Sequence, residues 1–291
     1  MYSSRRRIRS FNPSIIQSLT TLNEQQTASK NHFQQLFDQY EHGLNGARKL
    51  PIHQLRRAAL AEMTDKPFPT RRDEDWKYTS VNRILSTEYA EGRGRALTDA
   101  EFDGLHLLDG EVLRFVFVNG ELDEARSFGG DLPHGLRIHS IQDTYNSDSV
   151  RDRVEGFLPQ PGEHGSGSAF VSMNRAFNRS GVLIETERNA RVAPPVHLVY
   201  LTTGGAAPTL TNPLTLVDTA ASSELTIIEE YRALDGADVY FNNAVTRGRV
   251  ARNAHLHHYR INREGNAAYH INHTKFWQAA DSTYSTIWTR W

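Results

Sequence analysis

From Gly181 onward the chain is a succession of short β-prone runs: GVLIETE, VHLVYLT, PLTLVD, SELTIIEEYRA, VYFNNAVTRGRV, NAHLHHYRIN and AAYHINHTKF, parted by Gly, Pro, Asn, Asp or Ser. Strands this short and this closely spaced, with no helical period between them, restrict the region to a sandwich, a barrel or a β-helix. No tight hexapeptide or nonapeptide repeat chooses among the three.

The first third of the chain has a different period. Phe33, Leu36, Phe37 and Tyr40 recur at i, i+3, i+4 and i+7, one stripe of an amphipathic helix. Gly43 and Gly46 predict its end. Pro51 suits the first turn of a second helix that presents Ile52, Leu55, Ala59 and Met63 on one face. Between helices and strands lies mixed material. Val112 to Val118 is a strand closed by the turn pair Asn119-Gly120. Ile141 to Pro161 reads as helix plus loop, GEHGSGS (162–168) as a flexible connector, and Phe170 to Phe177 as a short helix. Three regions are therefore expected: helices over 1–90, a mixed α/β connection over 91–168, and a β core over 169–291.

Charge narrows the function classes. The chain has 33 basic and 34 acidic residues, which argues against a general nucleic-acid surface or a polybasic membrane patch. No apolar run is long enough to span a bilayer, so a soluble protein is expected; no h-region or small-residue cleavage pattern supports secretion, and a cytoplasmic location is expected. There is no cysteine, which excludes disulfides, thiolate nucleophiles and an iron–sulfur cluster held by the chain's own thiolates. Four arginines precede the first acid, Glu24. A transit peptide has that composition; a plain basic tail is the preferred reading.

The segment Arg71–Leu85, RRDEDWKYTSVNRIL, runs from charge into Trp76-Lys77-Tyr78-Thr79, then places Val81, Ile84 and Leu85 at helical spacing. Glu74 to Thr79 resembles the E-x-W-(K/R)-Y-T segment of the SufD family, scaffold subunits of the SUF iron–sulfur cluster assembly system. Further segments are similar in order and spacing. They are Phe117-Val118-Asn119-Gly120 with Ser127, Met173 to Phe177 with Gly181 and Ile184, Val192 to Leu198, and Glu229-Glu230-Tyr231 with Asn242-Asn243. Each is weak alone, and their collinearity from about Arg56 to Phe276 carries the resemblance. SufB fits less well, given the absence of cysteine.

The resemblance implies a mainly β protein with N-terminal helices and a right-handed parallel β-helix. It implies a non-catalytic scaffold with SufB-like and SufC-like partners, SufC being an ATPase, and a link to iron acquisition. Cofactors are expected to be none for this chain alone, with an Fe–S cluster or iron held only in complex with partners. Family members continue into a C-terminal helical domain, whereas this sequence stops at the strand-like Tyr284 to Trp291. A truncated copy lacking that domain is expected, one that associates through its C-terminal edge. No residue is assigned as catalytic, cofactor-binding or metal-binding, because the family's site residues fall mainly beyond this chain.

Few other constellations carry chemistry. His255, His257, His258, His270 and His273 fall close together. Alternation sends His255 and His257 to one face and His258 to the other. A neighbouring coil bringing His270 or His273 alongside would suit iron or zinc, and histidines lining a β-helix wall are the simpler expectation. Trp76 and Tyr78 suit a ligand platform less well than a packing anchor at Trp76. Asp73, Glu74 and Asp75 are adjacent, hence a solvated face. Gly204-Gly205 and GEHGSGS lack a P-loop lysine, and Gly165-Ser166-Gly167 is no nucleophile elbow. The alternative function is a β-helix carbohydrate lyase or hydrolase. It requires clustered acids, and Glu224, Glu229, Glu230, Asp235 and Asp238 offer no alternating pair.

Overall fold

A computed structural model describes residues 13–43, 49, 51–141, 148–157, 168–179, 181–234 and 239–290. Most of the GEHGSGS connector, Gly46, Asp235 and Asp238 lie outside them, as does the basic run at the N-terminus. The described helices are α1 (Pro13–Gly43), α2 (Pro51–Asp65), α3 (Asn82–Ser86), α4 (Asp99–Asp103), α5 (Asp148–Glu155) and α6 (Ala169–Phe177). The strands are β1 (Ala90–Glu91), β2 (Leu113–Val118), β3 (Glu121–Asp123), β4 (Leu136–Ser140), β5 (Gly181–Thr186), β6 (Val196–Thr203) and β7 (Thr209–Thr211). They continue with β8 (Leu214–Thr219), β9 (Glu224–Leu234), β10 (Tyr240–Val250), β11 (His255–Arg263), β12 (Ala268–Gln278) and β13 (Thr283–Arg290).

Of the three architectures open to the strand-rich half, the pairing selects the parallel β-helix. From β5 on, the chain alternates between two walls. One stacks β5, β7/β8, β10 and β12; the other stacks β2, β6, β9, β11 and β13. The ladders between successive coils are parallel, with Val196 beside Ile227, Ile227 beside His258 and His258 beside Thr286. Each coil is roughly 30 residues, the size of a solenoid repeat, too long to register as a short motif. Antiparallel pairs occur at the fringe, where β2 turns into β3 and β4 meets β5. The β2–β3 turn uses the expected Asn119-Gly120, with φ of 50° and 86°.

The coil corners repeat a backbone conformation. Asn189, Ser222, Asn253 and Asp281 have φ of 62°, 61°, 58° and 61°. The amide of each of the first three donates to the next coil, Asn189 to Ala221 O, Ser222 to Arg252 O and Asn253 to Ala280 O. Short polar side chains tolerate this left-handed region best.

The helices pack on one wall. Phe33, Leu36, Phe37, Ala59, Met63, Ile84 and Leu85 share a core with Phe170, Met173 and Phe177 of α6, and with Leu210 and Phe241 of β7 and β10. Trp76 sits in a 3₁₀ turn, Glu74–Trp76. Its half-buried ring lies 5.9 Å from Phe170, which in turn meets Phe241 edge-on at 5.9 Å. The expected anchor therefore exists, but it reaches the β wall through α6. Tyr78 is 87% exposed.

Amides fasten α6 to the wall where Pro213 interrupts the rung formed by β7 and β8. Asn174 Nδ2 donates to Pro213 O and Asn243 O, both at 2.7 Å. Asn243 Nδ2 donates to Phe170 O at 2.8 Å and to Asn212 Oδ1 at 2.9 Å. Asn178 Nδ2 donates to Asn212 O at 2.9 Å. Buried backbone groups need partners, and Pro213 takes an amide hydrogen out of the ladder; these side chains make up the deficit.

Candidate functional site

Alternation along β9, β11 and β12 turns one set of side chains inward. The first coils fill the interior with Val182, Ile184, Val196, Leu198, Val217, Leu225 and Ile227. Further along, the interior becomes polar. In the second wall, inward positions pass from Leu198 to Glu229 to Arg260 and from Tyr200 to Tyr231 to Asn262. The facing wall supplies Asn242, Thr246, His270, Asn272 and Thr274.

Glu229 is the centre of this set. It is fully buried. Its Oε2 accepts from Arg260 Nη2 at 2.8 Å and from Arg260 Nε at 3.2 Å. His258 Nε2 lies 3.1 Å from the same oxygen, and Thr246 Oγ1 donates to Oε1 at 2.9 Å. The other imidazole nitrogen, His258 Nδ1, pairs with Tyr284 Oη at 2.9 Å. Burial by itself raises the Glu229 carboxyl. The charges of Arg260 and His258 outweigh burial and hold it far below the usual carboxylate range. Burial likewise lowers Arg260, and Glu229 more than restores it. Tyr200 and Tyr231 are pushed up by burial and by the Glu229 charge. Every strong charge in this cluster is thus partnered within the chain.

A second carboxylate lies one residue on and on the opposite face. Glu230 is buried on the outer surface, with His197 Nε2 at 3.0 Å and Arg232 Nη1 at 3.2 Å. Burial raises its carboxyl, and the His197 hydrogen bond and surrounding charges bring it below the ordinary value. Glu229 and Glu230 therefore do not converge on a common space, and Glu224 is a half-buried edge residue bound to Arg191 at 3.4 Å. The acid pair that a glycosidase needs is not assembled from these three residues.

The histidines are dispersed over two walls, so the alternative in which a neighbouring coil brings His270 or His273 alongside His255 and His257 is not realised. His255, His257 and His258 lie on β11, whose neighbours are β9 and β13. His270 and His273 lie on β12, which pairs with β10 in the other wall. Alternation holds as expected: His258 points inward, while His255 and His257 point outward. On β12 it is His270 that points inward, its ring 4.6 Å from Tyr231 and nearly perpendicular to it. Among the described residues no three His, Asp or Glu side chains group closely enough to hold a metal ion. Asp73, Glu74 and Asp75 are exposed, as expected for a solvated face. Among the described residues, no helix is long and apolar enough to cross a membrane.

The interior cluster was not singled out from sequence. Its members come from different coils, and what unites them is register. A signal for the coils was present in the corner residues, R-N-A at 188–190, A-S-S at 221–223, R-N-A at 252–254 and A-D-S at 280–282.

The molecule is a two-walled parallel β-helix with helices docked on one wall and a buried ionic cluster in its interior. Two family models match the chain: the SufBD protein N-terminal region over residues 27–198, and the SufBD core domain of SUF system FeS cluster assembly over residues 200–290. The chain belongs to the SufBD family. It is similar to an iron–sulfur cluster assembly SufBD family protein of Synechocystis, with 26% identity over 76% of this chain and 49% of that protein. It is 27% identical to the iron–sulfur cluster assembly protein SufD of Escherichia coli over 88% of this chain and 55% of that one. It is 25% identical to the chloroplastic protein ABCI7 of Arabidopsis thaliana over 87% and 53%. The chain spans about half the length of the curated relatives it matches.

Proposed function

We propose that this chain serves iron–sulfur cluster assembly as a non-catalytic, cytoplasmic scaffold subunit that acts with a SufB-like subunit and a SufC-like ATPase, in the step that brings iron to the complex. The observation that carries the reading is membership of the SufBD family across residues 27–290. The chemistry agrees with it. With no cysteine in the chain, thiolates for a cluster come from a partner. The buried Glu229, Arg260 and His258 pair with one another, which suits a rigid support.

Co-expression of this chain with SufB and SufC, followed by affinity capture through a tag on this chain, tests the proposal. Stoichiometric co-elution supports it, as does a larger yield of assembled cluster when the chain is present. Capture of neither partner, with cluster yield unchanged, overturns it.

A further inference from the structure

Imidazole–carboxylate pairs recur in this molecule, and one differs from the rest. His53 with Glu41, His197 with Glu230 and His258 with Glu229 are aligned hydrogen bonds at 2.6, 3.0 and 3.1 Å. His270 Nδ1 lies 2.9 Å from Glu264 Oε2, yet neither nitrogen of His270 is aligned for a hydrogen bond with any protein group. His139 with Glu185 is similarly misaligned at 3.2 Å; there the carboxylate is already neutralised by Arg153, 2.8 Å from both oxygens.

Glu264 has no such cation. Its side chain is 6% exposed and, among the described residues, no lysine or arginine is paired with it. Its neighbours are amides: Asn242 Nδ2 donates to Oε1 at 2.5 Å and Asn262 Nδ2 to Oε2 at 3.4 Å. A carboxylate withdrawn from water calls for a positive charge. Residues adjoining Glu264 carry atoms without protein partners: Asn262 Oδ1, Tyr231 Oη and both His270 nitrogens. Asn262 stands beside Tyr231 in the ladder, and Tyr231 touches the His270 ring.

We propose that Glu264 and His270 hold a divalent transition cation at the inner end of β12, with Asn262 Oδ1 as a further oxygen ligand. Two ligand atoms about 2.1 Å from one cation lie about 3.0 Å apart in an octahedral arrangement and about 3.4 Å apart in a tetrahedral one; His270 Nδ1 and Glu264 Oε2, 2.9 Å apart, match adjacent octahedral positions. An imidazole nitrogen combined with carboxylate and amide oxygens suits a borderline cation of the Zn²⁺ or Fe²⁺ kind. Water completes the coordination, and two more unpartnered donors, Asn272 Nδ2 and Arg260 Nη1, are placed within the same polar interior to hold it. The site uses one of the five clustered histidines; His258 is engaged with Glu229, and His255, His257 and His273 take no part.

Calorimetric titration of the full chain with Zn²⁺ tests this, beside the His270→Gln, Glu264→Gln and His273→Gln variants. The expected result is one equivalent bound by the parent and by His273→Gln, with affinity lower by at least roughly tenfold in His270→Gln and Glu264→Gln. Co²⁺ is a second probe, giving a visible ligand-field spectrum that His270→Gln abolishes. Circular dichroism shows whether each variant is folded. If Glu264→Gln is not, His270→Gln carries the comparison, and if both unfold, the parent's Co²⁺ spectrum must show nitrogen and oxygen ligation. Absence of stoichiometric binding by the parent overturns the proposal. So does binding that survives in a folded His270→Gln variant, or binding lost only on replacing His255 and His257.

Discussion

Arg260 stands beside Glu229 in the adjoining coil, pointing the same way, and closes a 2.8 Å ionic contact in an interior that exposes 4% of one side chain and none of the other. A pair this deep gains strength from the low-dielectric surroundings and loses hydration for both charges. Its net worth is therefore small compared with the cost of breaking it.

Replacement of one partner is expected to be severe. Arg260→Met strands the Glu229 carboxylate, and a loss of about 3–5 kcal/mol in unfolding free energy follows. Glu229→Leu combined with Arg260→Met removes both charges and is expected to cost much less than the two single changes added together. Urea denaturation of the four proteins in a double-mutant cycle measures this; strict additivity would remove the pair as the cause.

The acid limb of stability is the second expectation. The Glu229 carboxyl is depressed in the folded state, so its contribution is complete above the unfolded glutamate value of about 4.3. It is lost as pH falls from there through the lower folded-state value. Glu229→Gln is expected to flatten the stability-versus-pH curve below that point, while lowering stability at neutral pH. Equal slopes for parent and variant in denaturation series at decreasing pH would contradict the assignment.

Aromatic packing between helices and wall gives a ranked pair. Phe170 is 2% exposed and contacts Phe68, Trp76 and Phe241; Phe170→Ala is expected to cost about 3–5 kcal/mol. Trp76 is only half-buried, so Trp76→Ala is expected to cost less than Phe170→Ala. Thermal melts of the two variants settle the order.

Gly248 marks a close approach of coils. A Cβ there would meet Val217 O at 2.6 Å and the ring of Phe276. Gly248→Ala is expected to cost about 1–3 kcal/mol through overpacking. Trimming Phe276 to Leu in the same protein should recover only part of that, because Val217 O is backbone. Full recovery would assign the crowding to the ring alone.

At the other end of the stack, β13 is the last strand of its wall among the described residues, with Ile287 52% and Trp288 60% exposed. A strand edge with apolar side chains invites pairing. The 291-residue polypeptide is expected to self-associate as concentration rises, and Ile287→Lys with Trp288→Lys to weaken that association. Sedimentation velocity over a concentration series reads the outcome; a parent that stays monomeric rules this edge out as the cause.

Period and composition made the elements legible, but not their neighbours. Alternation in β9 and β11 correctly sorted His258 from His255 and His257. In β5 and β6 every residue is buried, because coils and helices cover both faces, so no alternation of exposure marks them. Glu229 and Arg260 meet through register across a whole coil, a relation that local spacing does not encode. Closeness in sequence left open a juxtaposition of His270 or His273 with the β11 histidines, whereas the chain crosses from one wall to the other between His258 and His270. The role of Asn174 was equally hidden, since nothing in the helix itself announces a proline-broken rung beneath it.

The matched corners at Asn189, Ser222, Asn253 and Asp281 have one further consequence. Because every coil leaves and re-enters the stack through the same backbone bend, length in this molecule is quantised. A whole coil inserted from corner to corner would find its partners waiting above and below. A single residue inserted within a strand would turn the side chains beyond it inside out.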